Sequence, residues 1–156
     1  MTKFVTLQLL FITFTIFGAE LTIKYDAASD EIQATWDEFI QSWEMKDAER
    51  CASFYTENGL NIPSGIEENK GRTDIASFYR SLFDSNISST YHHTILDLQV
   101  FENHAIEYGE FRVDWVPIEG DDWSFHARSL THWIKIETGD WIIEKILYNS
   151  PPSINQ

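Results

Sequence analysis

The sequence contains a single cysteine, Cys51, among 156 residues. One cysteine excludes an intramolecular disulfide framework, a cysteine-based zinc site and a CxxC redox pair. Cys51 falls within a helix predicted from Asp47 to Tyr55, where a free cysteine is usually a small buried hydrophobic side chain. No activating base stands next to it in the sequence, so we do not expect it to act as a nucleophile.

Basic residues are also scarce. Lys and Arg number 11 against 25 Asp and Glu, which gives a formal net charge of −14. A charge of this sign repels phosphate backbones and argues against nucleic-acid binding. The chain also lacks the patterns G-x-x-x-x-G-K, G-x-G-x-x-G, H-E-x-x-H and G-x-S-x-G. Their absence excludes most nucleotide-binding and hydrolase classes.

Apolar side chains, by contrast, are abundant. Hydrophobic residues make up 43% of the chain and aromatic residues 15%. This is enough to form a packed core, which excludes intrinsic disorder. The length is that of one domain.

The N-terminus has the pattern of a signal peptide. Lys3 precedes an apolar run from Phe4 to Phe17, which is too short for a comfortable membrane span, and Gly18-Ala19-Glu20 ends it. The cleavage site is weak because the bulky Phe17 stands where a small residue is preferred. We predict a signal peptide at 1–19, a domain at 20–150 and an irregular tail at 151–156, with secretion or periplasmic export. An uncleaved anchor and a buried first strand are the alternatives.

Hydrophobic spacing predicts helices in the first half of the chain. Five large apolar residues recur at helical intervals between residues 30 and 45, with Asp30 as the expected N-cap. They are Ile32, Trp36, Phe39, Ile40 and Trp43. A second helix is predicted from Asp47 and a third from Thr73 to Phe83. Residues 60–66 read as a loop with one short strand.

The second half changes to the periodicity of strands. From Thr90 onward we predict four long strands joined by turns at Asn103-His104, Glu119 to Asp121 and Thr138-Gly139. Helices followed by an antiparallel meander predict an α+β domain. Its three N-terminal helices would pack on a curved antiparallel sheet of about four long strands and one short one.

Glu107 is the first candidate site residue, because its strand position shares a face with an apolar set. If Asn103 and His104 form a two-residue loop, Val100 lies beside Glu107. If the next turn is Ile118 to Asp121, His132 pairs with Glu107 and Arg128 points inward beside Phe111. A single β-bulge would dissolve the Glu107–His132 pair.

The inward Glu107 and His132 are therefore predicted to be catalytic, exchanging a proton with a carbonyl compound. A structural ion pair is the equal alternative. Arg128 either orients a ligand or neutralises Glu107. Five further residues are predicted to line a ligand cavity: Trp36, Tyr55, Tyr79, Trp115 and His92.

We expect no metal site. His92 and His93 are adjacent on a strand and point to opposite faces. His126 and His132 are six strand residues apart, about 20 Å at ~3.3 Å per residue, which excludes a shared ion.

Residues 32–150 resemble the SnoaL-like branch of the nuclear transport factor 2 (NTF2) superfamily. The resemblance rests on the following elements: Trp43 leading into Lys46-Asp47-Ala48, Phe54-Tyr55-Thr56-Glu57, the Pro63 loop, Gly71-Arg72-Thr73-Asp74-Ile75, Ala105-Ile106-Glu107-Tyr108-Gly109, Trp133 with Trp141, and Tyr148-Asn149-Ser150. It implies a cone-shaped α+β fold. It also implies dimerisation through the outer sheet face, for which Tyr91, Tyr108 and Trp123 are the candidates. Members of this branch often carry an aspartate where this chain has Ile146, and a tryptophan where it has Tyr148.

Two functions remain open from the sequence. One is a cofactor-independent isomerase, cyclase or dehydratase acting on a compact apolar carbonyl compound. The other is a non-catalytic ligand-binding or dimeric association module. For either function we expect no cofactor, a small apolar molecule as ligand, a homodimer and no stable membrane span after processing.

Overall fold

A computed structural model describes residues 27–150 of the protein. The predicted signal peptide at 1–19 and the predicted tail at 151–156 lie outside the described residues. Within 27–150, no helix has the length and hydropathy needed to cross a membrane.

Three helices precede most of the sheet: α1 over residues 27–44, α2 over Ala48–Ser53 and α3 over Gly71–Asp84. The predicted apolar stripe of α1 is buried, apart from the half-buried Ile40. Asp30 lies inside α1, so the prediction that it is the N-cap is wrong. Asp47 caps α2, because its carboxylate accepts the backbone N–H of Arg50 at 2.9 Å.

The sheet has six strands: β1 (Tyr55–Ile62), β2 (Asn69–Lys70), β3 (Asn86–Phe101), β4 (His104–Pro117), β5 (Trp123–Lys135) and β6 (Trp141–Asn149). Their order is β2-β1-β6-β5-β4-β3, and β1 runs parallel to β6 while the other pairs are antiparallel. The predicted α+β class is confirmed. The sheet is mixed instead of antiparallel, because β1 runs parallel to β6. The two-residue strand β2 adds one short strand to the five that were predicted.

The β3–β4 hairpin turns at Glu102-Asn103, one residue earlier than predicted, so Leu98 instead of Val100 lies opposite Glu107. A register shift between Ile95 and Asp97 then leaves Leu96 outside the ladder. Because side chains alternate along a strand, this bulge exchanges the faces of residues 88–95, up to a second register shift between Asn86 and Ser88. His93 therefore points inward and His92 outward.

The β4–β5 hairpin has a five-residue connection, 118–122, rather than the predicted four-residue turn. Glu107 is therefore opposite Thr131, and His132 is opposite Ile106 on the outer face. The predicted Glu107–His132 pair is wrong, since a shift of one residue moves every side chain of a strand to the other face.

The helices cover the inner face of the curved sheet, and α1 is anchored by a polar contact. Oε2 of Glu31 accepts Lys135 Nζ at 2.6 Å and the indole N–H of Trp141 at 2.8 Å. The Lys135 ammonium also lies 5.5 Å from the Trp141 ring centroid. These contacts join the N-terminal part of α1 to β5 and β6.

Candidate functional site

A cavity of about 220 Å³ lies between the helices and the inner face of the sheet. Aromatic rings form most of its wall, as expected for a site that holds an apolar molecule. The lining residues are Trp36, Phe39, Trp43, Tyr55, Asn61, Pro63, Ser64, Ile66, Phe78, Tyr79, Leu82, Tyr91, Phe111, Val113, Trp115, Trp123, Phe125, Ile146 and Tyr148.

The mouth of the cavity lies where exposed side chains meet its lining. Ile66, in the loop between β1 and β2, is 59% exposed, and Trp123, at the start of β5, is 50% exposed. The Trp123 ring stacks on the buried Trp115 with centroids 6.0 Å apart. This opening is therefore bounded by large apolar groups, which favour the entry of an apolar molecule.

Two tyrosine hydroxyl groups meet in the wall. The hydroxyls of Tyr55 and Tyr79 are 2.7 Å apart, and both side chains are buried. Burial raises the pKa of both phenols above the ordinary value, because the charged form loses its hydration. Burial raises the pKa of Tyr148 in the same way. These hydroxyls are therefore neutral at physiological pH and can donate or accept hydrogen bonds.

Asn61 is the polar residue of the wall that sequence reasoning missed. It lies on β1 opposite Ile146 of β6 and is 1% exposed. Neither the nitrogen nor the oxygen of its amide makes a hydrogen bond within the described part of the chain. The sequence predicted a loop with one short strand over residues 60–66 and assigned no side chain there to the site. Alternation in Leu60-Asn61-Ile62 puts Asn61 on the face opposite its two apolar neighbours.

The lining contains no Lys, Arg, His, Asp or Glu among the residues that the structure describes. Burying a charge without a partner costs several kcal/mol. A charged ligand would therefore have no ion-pair partner in this wall. Within 27–150 there is also no group of three or more His, Cys, Asp or Glu arranged to hold a metal ion.

Glu107 lies behind the cavity wall rather than in it. Its Oε2 accepts the indole N–H of Trp36 at 2.8 Å and that of Trp133 at 2.9 Å. Its Oε1 is 3.0 Å from Nε2 of His93, and the side chains of both are fully buried. The His93 ring stacks on Trp36 with centroids 4.0 Å apart. Trp36 therefore faces the cavity and also separates it from this buried cluster.

The contact between His93 and Glu107 has the distance of an ion pair without the alignment of a hydrogen bond. The two atoms are within bonding distance, but neither His93 nitrogen meets hydrogen-bond geometry. The contact is thus electrostatic when His93 is protonated. Directional bonding to the carboxylate comes from the two indoles, which fix its Oε2.

Four of the five predicted lining residues reach the cavity, and their role in ligand binding stays a prediction. They are Trp36, Tyr55, Tyr79 and Trp115. The fifth, His92, is on the outer face, where it is half exposed and 3.3 Å from Asp114. Its predicted place in the cavity is wrong, because the β3 bulge reverses the face.

Two further predicted placements are wrong for reasons of register. Arg128 is exposed and opposite Glu110, instead of inward beside Phe111. His132 is on the outer face, with Nδ1 2.6 Å from Glu144 and Nε2 3.1 Å from Nδ1 of His104.

Besides Asn61, the prediction missed His93 as an inward residue. The adjacent apolar pair Ile95-Leu96, which breaks the alternation of β3, was the available signal.

The sequence profile of the SnoaL-like domain matches residues 36–143. An NTF2-like protein from Salmonella enterica is similar at a TM-score of 0.72, with 17% identity, 83% of this chain covered and 95% of that chain. A candidate scytalone dehydratase from Novosphingobium aromaticivorans has a TM-score of 0.77, with 13% identity and coverage of 83% and 88%. A ketosteroid isomerase-like protein from Erwinia carotovora atroseptica has a TM-score of 0.66, with 17% identity and coverage of 78% and 94%. No curated protein matches the sequence.

A curved sheet closed on one side by helices around a cavity defines the NTF2-like class of α+β domains. Because the profile covers more than half of the chain, the protein belongs to the SnoaL-like domain family. The predicted superfamily is confirmed. Similar structures at these identities establish the fold and leave the activity open.

Proposed function

We propose that this protein binds a compact, neutral and mostly apolar small molecule in the cavity between the helices and the sheet. The observation that carries the proposal is the cavity itself, with about 220 Å³ enclosed by aromatic and aliphatic side chains and a mouth at Ile66 and Trp123. Its volume is below the roughly 300 to 1,000 Å³ of sites for drug-sized ligands. The ligand is therefore small, on the scale of a single substituted ring.

Direct binding of ring compounds tests this function. Ethylbenzene and benzamide are suitable probes. Their binding is measured by isothermal titration calorimetry and by the quenching of tryptophan fluorescence from the cavity wall. Ile146→Phe places extra volume in the cavity wall, since Ile146 is buried and lines it. We expect binding to wild type and loss of binding in Ile146→Phe, with the far-UV spectrum unchanged.

Ile87→Phe is the matched control, because Ile87 lies on β3, is 61% exposed and is not among the lining residues of the cavity. It should bind as the wild type does. Failure of every probe to bind the wild type, or equal binding to Ile146→Phe, contradicts the proposal.

Turnover of the ligand is the second candidate function. It is favoured by the hydroxyl pair of Tyr55 and Tyr79, in which one O–H donates to the other oxygen and the second O–H is free to donate to a carbonyl oxygen. The names of the isomerase-like and dehydratase neighbours also favour it. The sequence predicted that Glu107 and His132 act together as acid and base. With His132 on the outer face, only Glu107 can take part, and Trp36 would have to move to expose it.

Proton exchange at an activated carbon tests this candidate. Wild type is mixed with cyclohexenone in D₂O, and deuterium incorporation is followed by NMR. The candidate predicts exchange that falls at least tenfold in Tyr79→Phe, while His132→Ala has no effect. Exchange equal to the protein-free rate eliminates it for this class of compound.

A homodimer and an exported location are further parts of the proposal. Tyr108, Leu130 and Leu147 lie side by side across β4, β5 and β6 and are 38% to 51% exposed. This apolar row supports association through the outer face. Tyr91 and Trp123 are not part of it, and their predicted place on the outer face is wrong. Tyr91 is buried and stacks on Phe111 on the inner face, and Trp123 lines the cavity and stacks on Trp115.

Light scattering should give twice the chain mass for wild type and the single mass for Leu130→Lys. A monomeric wild type contradicts the dimer. N-terminal sequencing of the exported protein tests cleavage after Ala19, and intracellular retention of the uncleaved chain contradicts export.

A further inference from the structure

The amide of Asn61 has no hydrogen-bond partner among residues 27–150. Its side chain is buried at 1% exposure, and neither of its amide atoms forms a hydrogen bond in the described residues. Ile146, its neighbour on β6, is apolar. A buried polar group without a partner destabilises a folded protein, so such a group directed into a cavity indicates that a ligand completes it.

Tyr148 shares the cavity wall with Asn61, and the Asn61 amide approaches its hydroxyl as a hydrogen-bond donor. Burial raises the pKa of Tyr148, and this approach of the amide lowers it to a smaller extent. The two side chains nevertheless do not meet hydrogen-bond geometry. Neither Tyr55 nor Tyr79 forms a hydrogen bond with the amide; the hydrogen bond found for their hydroxyl groups joins them to each other.

A carboxamide offers an N–H donor and a C=O acceptor side by side in one plane. The group that complements both at once also carries an N–H and a C=O side by side, as in a primary amide, a lactam or a pyrimidinone. A ketone satisfies only the N–H of Asn61, and a hydrocarbon satisfies neither atom. A carboxylate has no donor and would bring a charge into a wall without a cation.

We propose that the ligand of this cavity is a neutral ring compound bearing an amide-type N–H and C=O pair, and that Asn61 binds this pair through two hydrogen bonds. The inference rests on the proposed binding function and specifies its ligand class. Asn61 then determines specificity, since a site built to form hydrogen bonds discriminates strongly against analogues that lack them. The aromatic wall supplies affinity for the ring.

The test compares benzamide with ethylbenzene, a hydrocarbon of nearly the same size, on wild type and on Asn61→Leu. Leucine keeps the volume and removes both hydrogen-bonding atoms. We expect the ratio of the ethylbenzene Kd to the benzamide Kd to fall at least tenfold in Asn61→Leu, while ethylbenzene itself still binds. Asn149→Leu, an exposed substitution on β6, should leave the ratio unchanged.

Thermal unfolding without ligand supplies an independent readout. Because Asn61→Leu replaces an unpartnered buried amide by an apolar group, we expect its Tm to be equal to or above that of wild type. A lower Tm would show that the amide has a structural role and would overturn the inference.

If ethylbenzene binds but the ratio of the two Kd values falls by less than tenfold in Asn61→Leu, the role of Asn61 is overturned. The binding function then remains intact. Binding of neither compound to wild type overturns both.

Discussion

Gly109 lies beside Glu107 on the inner face of β4, and a Cβ atom at Gly109 would be 2.7 Å from Oε1 of Glu107. The same Cβ would be 3.1 Å from Nε2 of His93. Because Gly109 has no side chain, the imidazole of His93 and the carboxylate of Glu107 can come into contact. The backbone at Gly109 is not in the left-handed region, so the requirement for glycine is one of space alone.

Gly109→Ala should lower the free energy of unfolding by about 1 to 3 kcal/mol, because the added methyl group forces the buried carboxylate or the imidazole to move. Urea denaturation measures the change. The control is the same substitution in Glu107→Ala, where the nearest atom is absent and the added cost should be smaller. Equal costs in both backgrounds would show that the carboxylate does not occupy this space.

Glu107→Leu should destabilise the protein by about 3 to 5 kcal/mol, because the indole N–H groups of Trp36 and Trp133 lose their acceptor. Glu107→Gln keeps an acceptor oxygen and should cost less than Glu107→Leu.

The matched control is Glu144→Gln, which removes the carboxylate next to His132 on the outer face. Both groups of that pair are about 30% exposed, so we expect a change of about 1 kcal/mol or less. If Glu107→Leu unfolds at the same urea concentration as Glu144→Gln, the buried cluster does not stabilise the fold.

The free energy of unfolding should depend on the protonation of Glu31, whose carboxylate holds α1 to Lys135 and Trp141. The hydrogen bond from Lys135 is the main cause that lowers the pKa of Glu31 below the ordinary value of a glutamate. A carboxyl group with a lowered pKa stabilises the folded state at pH values above its ordinary pKa, and this contribution is lost as pH falls through the folded-state pKa. Because the side chain is 45% exposed, the contribution should stay below about 1 kcal/mol.

The measurement compares unfolding of wild type and Glu31→Gln at pH 7 and at pH 3. The difference between the two proteins should be present at pH 7 and should shrink at pH 3. A difference that grows toward pH 3 would contradict this assignment.

Cys51 should resist thiol reagents in the folded protein. The residue is fully buried, and burial raises the pKa of its thiol to about 12. At pH 8 the thiolate fraction is then on the order of 10⁻⁴, and a reagent also has no access. We expect Ellman's reagent to react with one equivalent of thiol in guanidinium chloride and far more slowly in buffer.

Since Cys51 is the single cysteine, its labelling rate reports the opening of α2 from the core. Complete labelling of the native protein within the mixing time would show that the α2 region is open.

The sequence by itself determined the elements whose signals are local. Trp36 and Trp43 are buried on one stripe of α1 because helical periodicity is a property of neighbouring residues. Asp47 caps α2 by the same kind of local rule. The inward direction of Glu107 followed from alternation within one strand, and the resemblance carried by the ordered motifs identified the fold.

Only the tertiary structure decided which residues meet. The partner of Glu107 depends on the length of loop 118–122 and on the bulge at Leu96, and each changes the register by one residue. A shift of one residue reverses the face of the side chains along a strand. His132 and His92 therefore lie on the outer face, where the sequence predicted the inner one, and His93 lies on the inner face. Asn61 became a cavity residue because β1 pairs in parallel with β6, a contact between segments more than 80 residues apart that no local pattern encodes.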